Sequence, residues 1–460
     1  MTRVCSSSIS FTLRMSRLSP AVERTSKRLF RWAKEGSWIV IGQTVTVLGS
    51  LILVRVLTEH LEPVQYGQLA LGFTLVGLVK QVAIGGILNG IGRFFSIASG
   101  KNELHAYVIA LWRLTNAAAL AVVAIGIPVI LFLRVTGYSQ WSGLAAAALL
   151  FAVISSYNSS FNAVQNAARQ RMIVAFHGGM DAVLKIPLVL GLLLLLGNSG
   201  AVVVLGYAVS SLMVAASQWY FLRRAIPYSG GISVDSSSWL KQIWRFSLPF
   251  MTWGVFTWLQ TSSDRWFLGA FAGAENVGLY AVLFQLGYTP VAMVTGMMVD
   301  FFSPVLYLRS GDASDLERNR NVHRLVWLIT SSCLVLTVLF VLIAFGLHEF
   351  IFRHLVAVNY RHASNLLPFL VLAGGLFATG QVLSLKLLSE LRSHSLIRVK
   401  IITASLGVVL NYVGASLAGL GGIVAAIVAF GAIYLVWMII LTIKSPADLA
   451  EANGDASSFP

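Results

Sequence analysis

Lys80 lies in the middle of an apolar run, between Gln68 and Gly90, and its position asks for a chemical explanation. At about 1.5 Å of helical rise per residue it is roughly 15–18 Å from either end, too far for its stem to snorkel out. An ammonium at that depth needs a carboxylate, a wet cavity or an anionic substrate. Asp181 and Lys185 are four residues apart in another run, acid first. They share a helix face, and either neutralise one another or relay a coupling ion, proton or sodium. Asp264, beside Arg265, has the same two readings, with Arg55, Lys80 or an ion as the group it would face. Arg55 and Arg265 stand near the ends of their runs, where a guanidinium can reach the interface.

Uncharged groups add a second chemistry. Gln43, Gln81, Gln260 and Gln285 sit inside apolar runs, with Trp253 and Trp258 nearby. Amides and aromatic faces bind sugar hydroxyls and rings, although each alone also serves as interhelical glue or packing. The segment 348–362 collects His348, Glu349, Arg353, His354, Arg361 and His362. A membrane ligase or polymerase acting on lipid-linked sugars could use such groups, but their spacing matches no metal site. Phosphate-loop, dinucleotide and nucleophile-elbow motifs are absent from the sequence, so no cofactor and no metal is expected.

The elements that must position these residues are set by composition. Of 460 residues, 57% are hydrophobic and 11% charged, against about 25% charged in soluble domains. Apolar runs near the length of about 20 residues that a bilayer requires occur at 37–57, 68–90, 114–133, 142–164, 172–196, 200–222, 246–270, 277–302, 325–347, 366–388, 397–418 and 420–443. The expectation is an all-α polytopic membrane protein with about twelve transmembrane helices. Most of the 33 Lys and Arg fall in the tails and alternate loops on one side, whereas Arg55, Arg134, Arg353 and Arg361 take the other. The positive-inside rule therefore places both termini in the cytoplasm. The net charge of +15 reads as a topology signal; nucleic acid is not an expected partner. Cys5 and Cys333, one in a tail and one in an apolar run, do not suit an intrachain disulfide.

An internal repeat supports two parallel halves. With one residue of gap, the segment from Leu53 lays Arg55 on Arg265 and Tyr66-Gly67 on Val277-Gly278, and Gly200 onward resembles Gly422 onward. Parallel repeats relate by an axis along the membrane normal. The expected division is a basic tail with an amphipathic helix (1–36), an N-lobe (37–222), a cytoplasmic linker (223–245), a C-lobe (246–443) and a C-terminal tail (444–460), the two six-helix lobes being related by a pseudo-two-fold.

Residues 36–95 resemble the opening of the polysaccharide transport family, through Gly42-Gln43, Arg55 followed by Leu57-Thr58, the Tyr66-Gly67 turn, Gln81 and Arg93-Phe94. That family flips lipid-linked oligosaccharides and belongs to the multidrug/oligosaccharidyl-lipid/polysaccharide exporter superfamily. The resemblance implies two lobes that alternate between faces, with helices one, two, seven and eight lining the cavity. It makes Lys80, Arg265, Arg55, Gln43, Gln81, Gln260, Gln285, Trp253 and Trp258 cavity candidates for the substrate, and Asp264, Asp181 and Lys185 candidates for ion coupling. It further implies an undecaprenyl-diphosphate carrier, a bacterial inner-membrane location, and a polysaccharide polymerase and chain-length machinery as partners. No carboxylate lies in 37–57, where multidrug antiporters of the superfamily carry one. The alternatives are a membrane-embedded O-antigen ligase or polymerase and a multidrug or cation antiporter.

Overall fold

A computed structural model describes residues 20–225, 236–310, 316–389 and 393–443. Ten helical stretches among them are long and apolar enough to cross a membrane. Two are each broken once, Ser236–Val299 at Gly273 (φ 84°) and Lys400–Ile443 at Ala418 and Gly419 (φ 52°). Twelve helices result, so this is an all-α, multi-pass membrane protein: α1 (Pro20–His60), α2 (Pro63–Gly100), α3 (Leu104–Val135), α4 (Ser142–Ala167), α5 (Arg171–Leu196), α6 (Gly200–Ala225), α7 (236–272), α8 (274–310), α9 (Leu316–Leu355), α10 (Leu367–Ser389), α11 (393–417) and α12 (420–443). No strand occurs among the described residues.

Several helices outrun their apolar cores. The amphipathic stretch and the first span form one helix from Pro20, α3 begins at Leu104, and α7 begins at Ser236. Hydropathy marks only the part of a helix that meets lipid, whereas the backbone ladder continues until a breaker stops it. Of the linker expected at 223–245, residues 226–235 lie outside the described residues, as do the tails 1–19 and 444–460. Residues 236–245 are helical, and Trp239 and Ile243 are fully buried against Ile91, Tyr107 and Leu111 of the N-lobe. Trp239 Nε1 donates to Glu103 (2.9 Å), and Lys101 lies over its ring.

The end of the molecule carrying Lys101, Arg169, Arg171, Arg223 and Arg224 is here called the basic end, and the opposite one the far end. At the far end the helix pairs turn sharply. Gly197 (φ 92°) closes α5, and Gly273 and Gly419 break α7 from α8 and α11 from α12 in the left-handed region that glycine tolerates. In the N-lobe α1 lies on α5, with Gly42 and Gly49 against Ala175 and Ala182. Small residues at such a seam let backbones approach and gain dispersion contact that lipid cannot match.

Candidate functional site

Helices α2 and α7 pack along their whole length, while α1 meets α8 sparsely. Between the lobes they enclose a cavity of about 340 Å³, lined from α1 (Ser50, Val54), α2 (Tyr66, Gln81), α6 (Tyr207), α7 (Thr261, Arg265) and α8 (Phe284, Gln285). Both second helices of the repeat carry a π-helical turn beside it, Val79–Ile84 in α2 and Phe284–Tyr288 in α8. Such turns are rare and collect at functional sites because they re-aim side chains out of the helical register.

Arg265 is the single charged residue of this lining among the described residues. Its charge is compensated from behind by Asp264, which is 4% exposed. The Asp264 carboxylate accepts from Tyr280 Oη (2.5 Å), from the Arg265 backbone N–H (2.7 Å) and from Arg265 Nη1 (3.3 Å). The guanidinium also donates to the Thr261 carbonyl (3.1 Å) and lies over the Phe284 ring at 4.8 Å. It is thus pre-oriented, with N–H groups left for an anion, and a planar fork suits phosphate.

The far side of the cavity is sealed by reciprocal contacts. A methyl group added at Gly67 would overlap the Ala274 carbonyl, and one added at Gly278 would overlap the Pro63 carbonyl; each would also come within 3.0 Å of the other glycine's amide nitrogen. The repeat partners therefore meet each other across the pseudo-two-fold. Around them Arg55 Nη1 donates to the Val356 carbonyl (3.0 Å), the Ala357 N–H donates to Thr58 Oγ1 (3.2 Å), and Tyr360 Oη donates to the Leu61 carbonyl (2.9 Å).

A second cavity of about 420 Å³ lies inside the N-lobe, between α2, α4, α5 and α6. Lys80 lines this one and not the interlobe cavity. Lys80 and Gln81 are consecutive on α2: Gln81 continues the helical face of Thr74 and Gly77 that lines the interlobe cavity, while Lys80 enters the N-lobe cavity. Asp181 and Lys185 line it too, joined at 2.5 Å, with Ser210 Oγ donating to Asp181 Oδ1 (3.3 Å).

The remaining candidates divide. Gln81 and Gln285 line the interlobe cavity, and Gln81 Nε2 reaches Thr261 Oγ1 at 3.5 Å. Arg55 belongs to the far-end seal and pairs with Glu59. Asp264 faces neither Arg55 nor Lys80, because Arg265 and Tyr280 occupy it. Trp258 Nε1 donates to the Thr74 carbonyl (2.7 Å), tying α7 to α2, and Trp253 lies under the Lys400 ammonium at 5.5 Å. Gln260 turns toward Gly407 of α11, and Gln43 is half-buried on α1; neither lines the two cavities. At 348–362, His348 bonds Ser364 Oγ, and Arg361 bonds the Val356 and Arg353 carbonyls. No group of three or more potential metal ligands forms among the described residues. Sequence reasoning missed Tyr280, whose partner is sixteen residues away across the Gly273 break.

The lipid II flippase MurJ in an inward closed conformation superposes with a TM-score of 0.68 at 10% identity, over 90% of this chain and 88% of that one. An outward-facing multidrug resistance MATE family transporter of the MOP superfamily gives 0.62 at 15% identity, over 91% and 96%. A MOP superfamily transporter from Pyrococcus furiosus gives 0.56 at 15% identity, over 89% and 95%. At these identities the likeness shows a shared fold. No curated protein matches the chain. A family model described as polysaccharide biosynthesis protein matches residues 32–307, more than half of the sequence, and the chain accordingly belongs to that family.

Proposed function

We propose that the protein is a flippase, and not an enzyme, that moves an undecaprenyl-diphosphate-linked oligosaccharide from the cytoplasmic to the outer leaflet of a bacterial inner membrane. The observation that carries this reading is Arg265, a cation held ready at the wall of an interlobe cavity in a chain of the polysaccharide biosynthesis family. A diphosphate can enter a low-dielectric lumen only where positive charge compensates it. Gln81, Gln285 and Tyr66 supply donors and an aromatic edge for sugar beside it. With the far end sealed, the headgroup enters from the basic end and the lipid tail stays outside, on the side where α1 and α8 meet sparsely. A polymerase and chain-length machinery would take the product beyond the far end.

The test is a vesicle assay with purified protein and a labelled saccharide lipid in one leaflet. Translocation is read by an impermeant glycosidase. Protein-dependent transfer is expected; ion-driven dye efflux with no saccharide transfer would favour the multidrug reading instead. The basic end is proposed as cytoplasmic, with both termini there. Cysteines at Ser199 and Gly421, in a background lacking Cys5 and Cys333, should react with an impermeant thiol reagent in intact cells, and one at Asn102 only after permeabilisation. The reverse pattern would invert the topology.

Asp181 and Lys185 are proposed as the coupling pair, since a carboxylate and a cation at depth form a site that a proton can open. Removing one member of a partly buried pair leaves the other charge uncompensated at depth, while removing both charges is far milder. Lys185→Met should therefore lower membrane abundance, and Asp181→Asn/Lys185→Met should restore abundance without restoring ion-driven transport. Full transport by the double variant would remove coupling from this pair.

A further inference from the structure

We infer that the N-lobe cavity is a binding site for an acidic, carboxylate-bearing sugar residue. This rests on the flippase reading and names the class of saccharide that it carries. The cavity holds two ammonium groups, Lys80 and Lys185, against one carboxylate, Asp181. Asp181 is taken by Lys185 and Ser210. Lys80 has no hydrogen bond or ion pair among the described residues; its ammonium lies 5.6 Å from the centre of the Phe151 ring. One positive charge is left over at mid-depth, where an uncompensated ion is costly.

Two amide oxygens just behind the same wall also lack donors. Gln218, 2% exposed, has no partner for Oε1, and Asn158 has none for Oδ1, its amide nitrogen being committed to Ser211. Buried amide oxygens without donors are rare in folded proteins. With these two amides turned toward the cavity, a ligand that satisfied the site would bring one negative charge and hydroxyl donors. A diphosphate at neutral pH offers charge but no donors. A neutral hexose offers donors but leaves Lys80 uncompensated. A hexuronate offers both.

The rings of Phe73, Phe151 and Tyr207 stand within 5.0–6.1 Å of one another and form a wall between the two cavities, with Lys185 over Tyr207 from the N-lobe side.

The experiment measures binding of methyl glucuronide and methyl glucoside to the purified protein in lipid nanodiscs by calorimetry. The glucuronide should bind at least about tenfold more tightly, as expected for a charge-assisted hydrogen bond. Lys80→Gln should bring it to the glucoside level, and Gln218→Met should weaken both ligands. Equal binding of the two glycosides, absence of binding, or undiminished glucuronide affinity in Lys80→Gln would each overturn the assignment. So would loss of glucuronide binding in Arg265→Gln together with its retention in Lys80→Gln, which would move the sugar to the interlobe cavity. If Lys80→Gln does not accumulate, Lys80→Arg and Gln218→Met decide: retained preference in the first and weaker binding in the second support the site, and the opposite pair rejects it. A flippase for neutral saccharides would fail here and still pass the vesicle assay.

Discussion

Gly67→Val is expected to reduce transport by about 5- to 150-fold while leaving the protein in the membrane at normal abundance, with closure of its far end disfavoured. The reason is the backbone-to-backbone approach of α2 and the α7–α8 turn. Any Cβ at Gly67 overlaps the Ala274 carbonyl, and a carbonyl cannot rotate away as a flexible side chain can. Overpacking a close contact costs about 1–3 kcal/mol. Here that cost falls on the closed conformation alone, so it shifts the balance between conformations by about 5- to 150-fold. Gly278→Val should act in the same way, because the two glycines face each other reciprocally. The measurement is a disulfide between cysteines at Thr58 and Ala357, whose Oγ1 and N–H stand 3.2 Å apart across the seal. It should form readily with Gly67 present and poorly in Gly67→Val. Normal transport by Gly67→Val would mean that this seal takes no part in the cycle.

Arg265→Gln should reduce saccharide-lipid translocation by about 10–100-fold, the equivalent of losing a charge-assisted hydrogen bond of about 1.5–3 kcal/mol. Arg265→Lys should retain part of the activity, since an ammonium supplies the charge without the planar fork. Because Asp264 is buried against Arg265 and Tyr280, the single change leaves a carboxylate without its cation and lowers abundance as well. Arg265→Gln/Asp264→Asn separates the two effects: abundance should recover and translocation should not. Recovery of translocation in that double variant would make the pair structural and remove the anion from the cavity.

The placement of charged side chains shows why some assignments were legible and others were not. Asp181 and Lys185 lie four apart on one helix, so their pairing follows from helical geometry alone. Asp264 has its cation next to it in Arg265, but its remaining partner is not local. Its partner Tyr280 lies on α8, brought beside it by the sharp break at Gly273. Lys80 was expected on the interlobe wall, since α2 lines that cavity. The rotation of α2 puts the face of Thr74, Gly77 and Gln81 on the interlobe side and leaves Lys80, one residue away, to the N-lobe cavity.

By itself the sequence determined the solvent, the number of crossings and the two-fold plan, because apolar run length, charge asymmetry and repeat spacing act residue by residue and survive without knowledge of neighbours. It also marked Gly67 and Gly278 as equivalent. Only the tertiary structure decided that these two glycines touch, that Arg55 closes the far end while Arg265 faces the cavity, and that Lys80 stands behind an aromatic wall. Those outcomes depend on helix rotation and on which seams close. In a membrane, where lipid covers one helix face as readily as another apolar helix does, hydrophobicity cannot set them, and close packing between specific residues does.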